Sequence, residues 1–186
     1  MILNTKNMIT KNVEKALNDQ IKREEHSSRL YLAMASWAER AGYPGAADWL
    51  YAQTEEERLH MLKLVHYLND RGGNAVIPAL DAPKASFKSL LDVFQNVLKH
   101  EEFISASINE LYAICVKEKD FTTANYLQWY ITEQVEEEST VRSILDQIKL
   151  AGTEKGGLFL MDKEFSTRAV TKRAALAAAG GMTQAK

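Results

Sequence analysis

The chain has 186 residues, 46% of them hydrophobic and 26% charged, a composition typical of one globular domain with a full hydrophobic core. Its formal net charge of −2 argues against nucleic acid as a partner, and it gives no bulk acidity, so any affinity for cations must be local. The single cysteine, Cys115, excludes an intrachain disulfide, and the sequence shows neither a secretory signal nor an apolar stretch long enough for a membrane span, so we expect a cytoplasmic protein without membrane contact.

Apolar residues at spacings of three and four predict four long helices. The first runs from about Thr10 to Arg40 and ends at GYPG. The second runs from about Ala46 to Asp70 and ends at RGGN. The third carries its apolar stripe from Leu90 to Cys115, and after a break near KEKD a fourth follows and ends at Gly152. A short fifth helical piece, roughly LFLMDKEFSTR at 158–168, comes after two glycines.

The connections between the predicted helices indicate the fold. The breaks after the first and third helices are short, which forces antiparallel hairpins, whereas NAVIPALDAPKAS between the second and third is long enough to travel the length of a bundle. Two hairpins joined by one long crossover are typical of ferritin-like all-α four-helix bundles. We therefore predict one domain over residues 1–168, followed by an alanine- and glycine-rich tail over 169–186 that fits no core and is expected to be flexible.

Each of the four predicted helices carries an acid on its apolar stripe. Any one of these glutamates could stand at the edge of a solvated face. Four together in a bundle core would cost several kcal/mol per ion without compensation, or would have to bind protons. A multivalent cation removes this difficulty. The residues are Glu24 in the first helix, Glu57 with His60 in the second, Glu101 in the third and Glu137 in the fourth.

The chemistry of these side chains narrows the choice of cation. Carboxylates with one imidazole and no thiolate suit iron or manganese, and they can also hold zinc. Glu57 and His60 stand three residues apart and therefore point from one helical face towards one metal ion. Four carboxylates and one histidine exceed what a single ion needs. The set suits two ions bridged by a glutamate.

Four sequence motifs carry a resemblance to a known family. They are Glu24-x6-Tyr31, EEERLH in the second helix, KHEE at 99–102 and LQWYITEQVEEE in the fourth helix. Over roughly residues 8–168 the chain resembles bacterial non-haem ferritins. Its fourth helix reads Gln134-x-x-Glu137 and lacks the second Glu-x-x-His found in bacterioferritins and rubrerythrins. Arg58 stands where bacterioferritins place a haem-ligating methionine, so haem is not expected.

The resemblance implies a ferroxidase centre that holds two irons. A first iron would be bound by Glu24, Glu57 and His60. Glu57 would bridge to a second iron held by Glu101 and Glu137, with Gln134 close by. His100 precedes the ligand Glu101 but lies about 100° from its face, so it is not expected to be a ligand.

The resemblance also implies a third iron site and two redox-active aromatic residues. The ligands of the third site would be Glu56, Glu133, Glu136 and Glu137. Tyr31 and Trp129 match aromatic residues beside the diiron pair and are candidate electron donors. For Tyr31 a purely structural role, in which its hydroxyl bonds a glutamate in the core, stays equally open.

The function implied by the resemblance is iron storage with ferroxidase activity. Fe(II) would be oxidised by O2 or H2O2 and deposited as a ferric mineral inside a shell of 24 identical subunits. One alternative is a diiron oxidase on the same bundle that stores nothing, for example one that removes peroxide. Another is a structural or cargo-type bundle whose acids only specify packing. Metal binding would exclude this last alternative, and the amount of iron loaded per shell separates the other two.

Overall fold

The helices observed match the predicted bundle. The structure, a computed structural model, describes residues 9–152 and 155–183, and it describes side chains for 9–152 and 156–178. Residues 1–8, which belong to the N-terminal stretch expected to lack a secretory signal, and residues 184–186 of the tail lie outside the described residues. Within the described ranges there are five helices and no strand: α1 Lys11–Arg40, α2 Pro44–Asp70, α3 Leu90–Lys117, α4 Phe121–Ala151 and α5 Lys155–Thr183. The all-α fold class is confirmed.

Local sequence sets the starts of three helices. Thr10, Ser89 and Asp120 each accept a hydrogen bond from the backbone N–H three residues ahead and so cap α1, α3 and α4. The short turn after α1 needs the positive φ of 85° at Gly42, a conformation that glycine adopts without strain. No helix of the described part is long and apolar enough to cross a membrane.

The α2 helix is capped by a residue distant in sequence. Its own N-cap residue, Tyr43, makes no side-chain capping bond. Instead, Asp162 of α5 accepts hydrogen bonds from the backbone N–H groups of Gly45 (3.0 Å) and Ala46 (2.9 Å). A Cβ at Gly45 would lie only 1.8 Å from the carbonyl oxygen of Asp162, so the close approach of α5 requires glycine there.

The core consists of two apolar clusters with polar side chains between them. One cluster includes Tyr31, Leu50, Val97 and Val141. The other includes Ile21, Met61, Ile104 and Tyr130. Along each of the four bundle helices the buried acid falls between a member of one cluster and a member of the other, so all four acids lie at a middle level of the bundle. The buried acids are Glu24, Glu57, Glu101 and Glu137.

The fifth helix is present but longer than predicted. It continues through Thr183, so the boundary predicted at residue 168 lies inside one continuous helix. The tail after 168 has few large apolar residues and was expected to be flexible, but it is rich in alanine, which has the highest helix propensity of all residues. Met161, Phe165 and Ala169 are buried, and the Phe165 ring stacks on Phe94 at 5.0 Å between centroids. This packing lays α5 against α2 and α4.

Candidate metal centre

The α1–α2 hairpin assembles a first group of side chains that could hold a metal ion. Ligand atoms of Glu24, Glu57 and His60 all lie within 4.8 Å of one another, and all three residues are buried. His60 Nδ1 lies 3.7 Å from Glu57 Oε2, because the spacing of three residues puts both side chains on one face of α2. The antiparallel α1 then supplies Glu24 from the facing stripe. One imidazole nitrogen and two carboxylates thus converge without a thiolate.

The α3–α4 hairpin adds two more buried acids. Glu101 Oε1 accepts a hydrogen bond of 2.6 Å from the Tyr31 hydroxyl, and Glu101 Oε2 accepts one of 3.1 Å from Gln134 Nε2. Glu137 Oε2 accepts a hydrogen bond of 3.0 Å from Gln53 Nε2. Both acids raise the pKa of Glu57 by charge repulsion, which places all three in one electrostatic group.

Two glutamines that were not predicted as site residues hydrogen-bond to the acids and orient them. Gln20 Nε2 donates a hydrogen bond of 2.7 Å to Glu24 Oε1, while the Ser107 hydroxyl donates one of 2.9 Å to Gln20 Oε1. Gln53 does the same for Glu137 across the bundle. Both glutamines stand on the apolar stripes of their helices, and this was the signal that could have identified them.

Burial and mutual repulsion oppose ionisation of the clustered acids. Burial is the largest cause that raises the pKa of Glu24 and Glu57, and Glu101 adds charge repulsion at Glu57. Burial and the charge of Glu137 raise the pKa of Glu101 to about 7. The metal-free centre therefore holds protons that an acid in water would have released.

The donor set fits metal ions better than it fits a plain packing role. Gln53 Oε1 is buried and has no hydrogen-bond partner among the described residues, and the amide of the same side chain donates to the buried Glu137. If the acids only specified packing, their burial would cost free energy that nothing offsets. Bound cations would instead neutralise the carboxylates and favour their ionised forms. Oxygen-rich ligands with one imidazole suit iron, manganese or zinc.

Stability of the metal-free protein should fall as pH rises. The unfolded chain releases the Glu101 proton near 4.5, whereas the folded protein keeps it to about 7, so the contribution of Glu101 to the free energy of unfolding decreases across this interval. Thermal unfolding midpoints should therefore be lower at about pH 7.5 than at about pH 5 in the presence of chelator. Glu101→Gln should reduce this dependence, and the exposed neighbour variant Glu102→Gln should leave it unchanged. A wild-type midpoint that rises over the same interval would contradict the assignment.

A second ligand group lies beside the first. Ligand atoms of Glu56, His60 and Glu133 come within 4.8 Å of one another. Burial raises the pKa of Glu56 to about 7. Burial raises the pKa of Glu133, and the charges of Glu137 and Glu136 add to this effect, but Glu136 itself is exposed and is not part of this group. Of the residues expected at a third iron site, the structure thus brings Glu56 and Glu133 together with His60 and leaves Glu136 at the rim.

Aromatic residues enclose the centre on two sides. The Tyr31 hydroxyl is bonded to Glu101, and burial raises the pKa of Tyr31 well above its usual range. The Trp129 ring packs edge-on against the His60 ring at 5.2 Å between centroids. His100 is half-buried and bonds the Ser27 hydroxyl at 2.8 Å, outside both ligand groups of the described residues. The geometry of Tyr31 is compatible with either a redox or a structural role.

Comparisons with known proteins agree with this architecture. A family model described as "Ferritin-like domain" matches residues 14–151. The chain is 45% identical over 157 residues (84% of this chain, 95% of the relative) to a probable bacterial non-haem ferritin-like protein of Haemophilus influenzae. It is 42% identical over 166 residues (89% and 99%) to a bacterial non-haem ferritin of Campylobacter jejuni. An open pore ferritin from Archaeoglobus fulgidus superposes with a TM-score of 0.85 at 38% identity, covering 86% of this chain and 98% of that one. The chain therefore belongs to the ferritin-like family, and among its members it is related to the bacterial non-haem ferritins.

Proposed function

We propose that this chain is an iron-storage protein that oxidises Fe(II) at a two-iron centre and deposits the Fe(III) product as a mineral inside a shell of identical subunits. The observation that carries the proposal is a group of four buried acids, one from each helix of the bundle, two of which lie within ligand distance of a buried imidazole. The group comprises Glu24, Glu57, His60, Glu101 and Glu137. Membership of a family that includes bacterial non-haem ferritins supports the storage role.

Each residue has a separate role in holding the substrate iron. Glu24 and His60 bind the first Fe(II), and Glu57 bridges it to the second. Glu57 suits this role because it lies within ligand distance of Glu24 and His60 and also feels the charges of Glu101 and Glu137. Glu101 and Glu137 bind the second Fe(II). The Gln134 amide donates a hydrogen bond to Glu101 and so orients that carboxylate. Because its ligands are carboxylates, the second iron has an oxygen-rich environment.

The reaction needs protons and electrons to balance. Each Fe(II) gives one electron, so a pair of ions reduces O2 with two protons to H2O2, or reduces H2O2 with two protons to two waters. Binding of Fe(II) displaces protons from acids whose pKa values are raised, such as Glu101 at about 7. The buried position of the centre excludes bulk water, and the fixed glutamines keep the ligands in place while charge changes.

A shell requires contacts between copies, and the surface offers apolar side chains for them. Large exposed hydrophobic residues include Leu150, Phe159 and Leu160 near the junction of α4 and α5, and Val135 on the face of α4. The similarity to ferritins of known structure supports an assembly of identical subunits, and we expect 24 of them.

Iron loading tests the storage function. The purified protein, sized in solution and loaded aerobically with Fe(II), should form a single large assembly that retains on the order of thousands of irons, because an internal mineral is limited only by shell volume. A protein that oxidises Fe(II) but retains two or three irons per chain would instead be a diiron oxidase without storage, for which H2O2 is then the substrate to test. Absence of metal binding would leave a structural bundle.

We also propose a third iron site beside the pair, with ligands Glu56, Glu133, Glu136 and Glu137. Glu56 and Glu133 stand close enough to share an ion. Glu136 is exposed on the same turn of α4 and would have to turn inwards to join them. His60 lies within reach of this group as well as the first one, so the two sites are adjacent.

A further inference from the structure

A lysine of α5 reaches the metal-binding level of the bundle. Lys172 Nζ lies 3.3 Å from Glu137 Oε1, and it forms a second, closer ion pair with Glu56. The lysine side chain is only 20% exposed, and its ammonium group stands 5.9 Å from the centroid of the Trp49 ring. One positive charge from the C-terminal helix is thereby inserted between an acid of α2 and an acid of α4.

The packing of α5 fixes this position. Lys172 continues the buried stripe of Met161, Phe165 and Ala169 at spacings of three and four residues. Its neighbour Arg173 bonds the backbone oxygen of Asp48 at 3.1 Å. The α5 helix therefore holds the lysine against the acids, and a surface lysine free to explore solvent would not be positioned in this way.

The electrostatics are those of a cation in its binding site. Although burial by itself lowers the pKa of Lys172, the charges of Glu137 and Glu56 raise it above the usual range for lysine. In turn, the ammonium group opposes the effect of burial on the pKa of Glu56. Lys172 thus partly neutralises these two acids in the metal-free protein.

A metal ion at this position would compete with the ammonium group. Lys172 uses Oε1 of Glu137, while Gln53 Nε2 occupies Oε2 of the same carboxylate. A metal ion coordinated by Glu56 and Glu137 would compete with the ammonium group for these two carboxylates. It would also place its charge within a few ångströms of the ammonium group, where repulsion inside a protein is strong.

We propose that Lys172 is a specificity-determining residue of the third site: its ammonium group is a resident cation between Glu56 and Glu137, and a third metal ion binds only by displacing it. This inference rests on the proposed function, because the third site is part of that proposal and adjoins the proposed diiron centre. It gives α5 a role in setting how tightly the third ion is held.

The first test measures metal binding without turnover. Anaerobic zinc titration of the assembled, metal-free protein by calorimetry should show a third equivalent that binds at least about tenfold more tightly in Lys172→Met than in wild type, because methionine keeps the apolar stem but removes the competing charge. The first equivalent, at Glu24, Glu57 and His60, should be unchanged. Lys172→Arg keeps the charge and should bind the third ion within about threefold of wild type. Lys163→Met, an exposed lysine of the same helix, is the matched control.

The second test uses the wild-type chain and needs no variant to fold. Lys172 should react slowly with an amine-specific acylating reagent in metal-free protein, and several times faster when zinc saturates all sites, as read by peptide mass spectrometry. Lys163 should react at the same rate in both conditions. This readout follows the displacement itself, independently of any change in oxidation rate.

The outcomes separate this inference from the proposed function. Two zinc ions per chain in both wild type and Lys172→Met, or a third ion bound equally or more weakly by Lys172→Met, would overturn the role of Lys172 while leaving a two-metal centre. Labelling of Lys172 that does not respond to zinc would overturn it as well. No zinc binding in any variant would remove the metal centre and the inference together.

Discussion

Replacing Glu57 with glutamine is expected to abolish rapid oxidation of Fe(II) while leaving the folded assembly intact. The Glu57 carboxylate lies beside Glu24 and His60 and interacts electrostatically with Glu101 and Glu137, so it is the side chain best placed to bridge two ions. An amide keeps the shape of the side chain but cannot bridge two cations as an anion. The initial rate should fall by more than about 100-fold, beyond the loss typical of residues that only orient a ligand. Stopped-flow oxidation of anaerobic protein measures this directly.

The same variant should not be destabilised without metal. Burial and repulsion from neighbouring acids raise the pKa of Glu57 well above its usual range, so folding either protonates this carboxyl or buries its charge at a cost that a neutral amide avoids. The thermal midpoint of the metal-free variant should equal or exceed that of wild type at neutral pH. Glu55→Gln, at an exposed position two residues earlier, is the control and should oxidise Fe(II) normally. Oxidation of Fe(II) by Glu57→Gln at the wild-type rate would contradict the bridging role of Glu57.

Phe165→Ala is expected to release α5 from the bundle. The ring is fully buried, stacks on Phe94 at 5.0 Å and lies 6.2 Å from Trp49 between centroids. Truncation of such a phenylalanine typically costs about 3–5 kcal/mol, through lost burial and the cavity that remains. Because few other large apolar side chains of α5 are buried, this cost should appear as local opening of the helix and the bundle should remain folded. Amide hydrogen exchange of α5 should become much faster than in wild type.

The neighbouring aromatic residue provides the control for this prediction. Phe159 stands on the same helix but is exposed, so Phe159→Ala should change the local stability of α5 by less than about 0.5 kcal/mol. Release of α5 should also expose Lys172 to acylation in the absence of zinc, since the helix no longer holds it against Glu137. If amide exchange of α5 is unchanged in Phe165→Ala, other contacts are sufficient to hold α5 on the bundle, such as the hydrogen bond that Asp162 accepts from the N-terminus of α2.

The acids and their helices were predictable because a helix converts sequence spacing into direction. Glu24, Glu57, Glu101 and Glu137 fall on apolar stripes, and the structure buries all four. The short breaks and the long connection between α2 and α3 determined which helices pair. The same spacing showed Gln20 and Gln53 on the stripes, but it could not show that their amides face particular carboxylates.

What sequence by itself determined is therefore local periodicity, and with it the bundle and the set of buried acids. Only the tertiary structure showed that α5 runs to Thr183 and places Lys172 between Glu56 and Glu137. In the sequence, the segment after 168 has few large apolar residues, and its helix depends on alanine propensity together with docking through Phe165. A lysine more than thirty residues from Glu137 and more than a hundred from Glu56 meets them only because the chain turns back after α4, and contacts of this kind depend on how helices pack and leave no trace in local spacing.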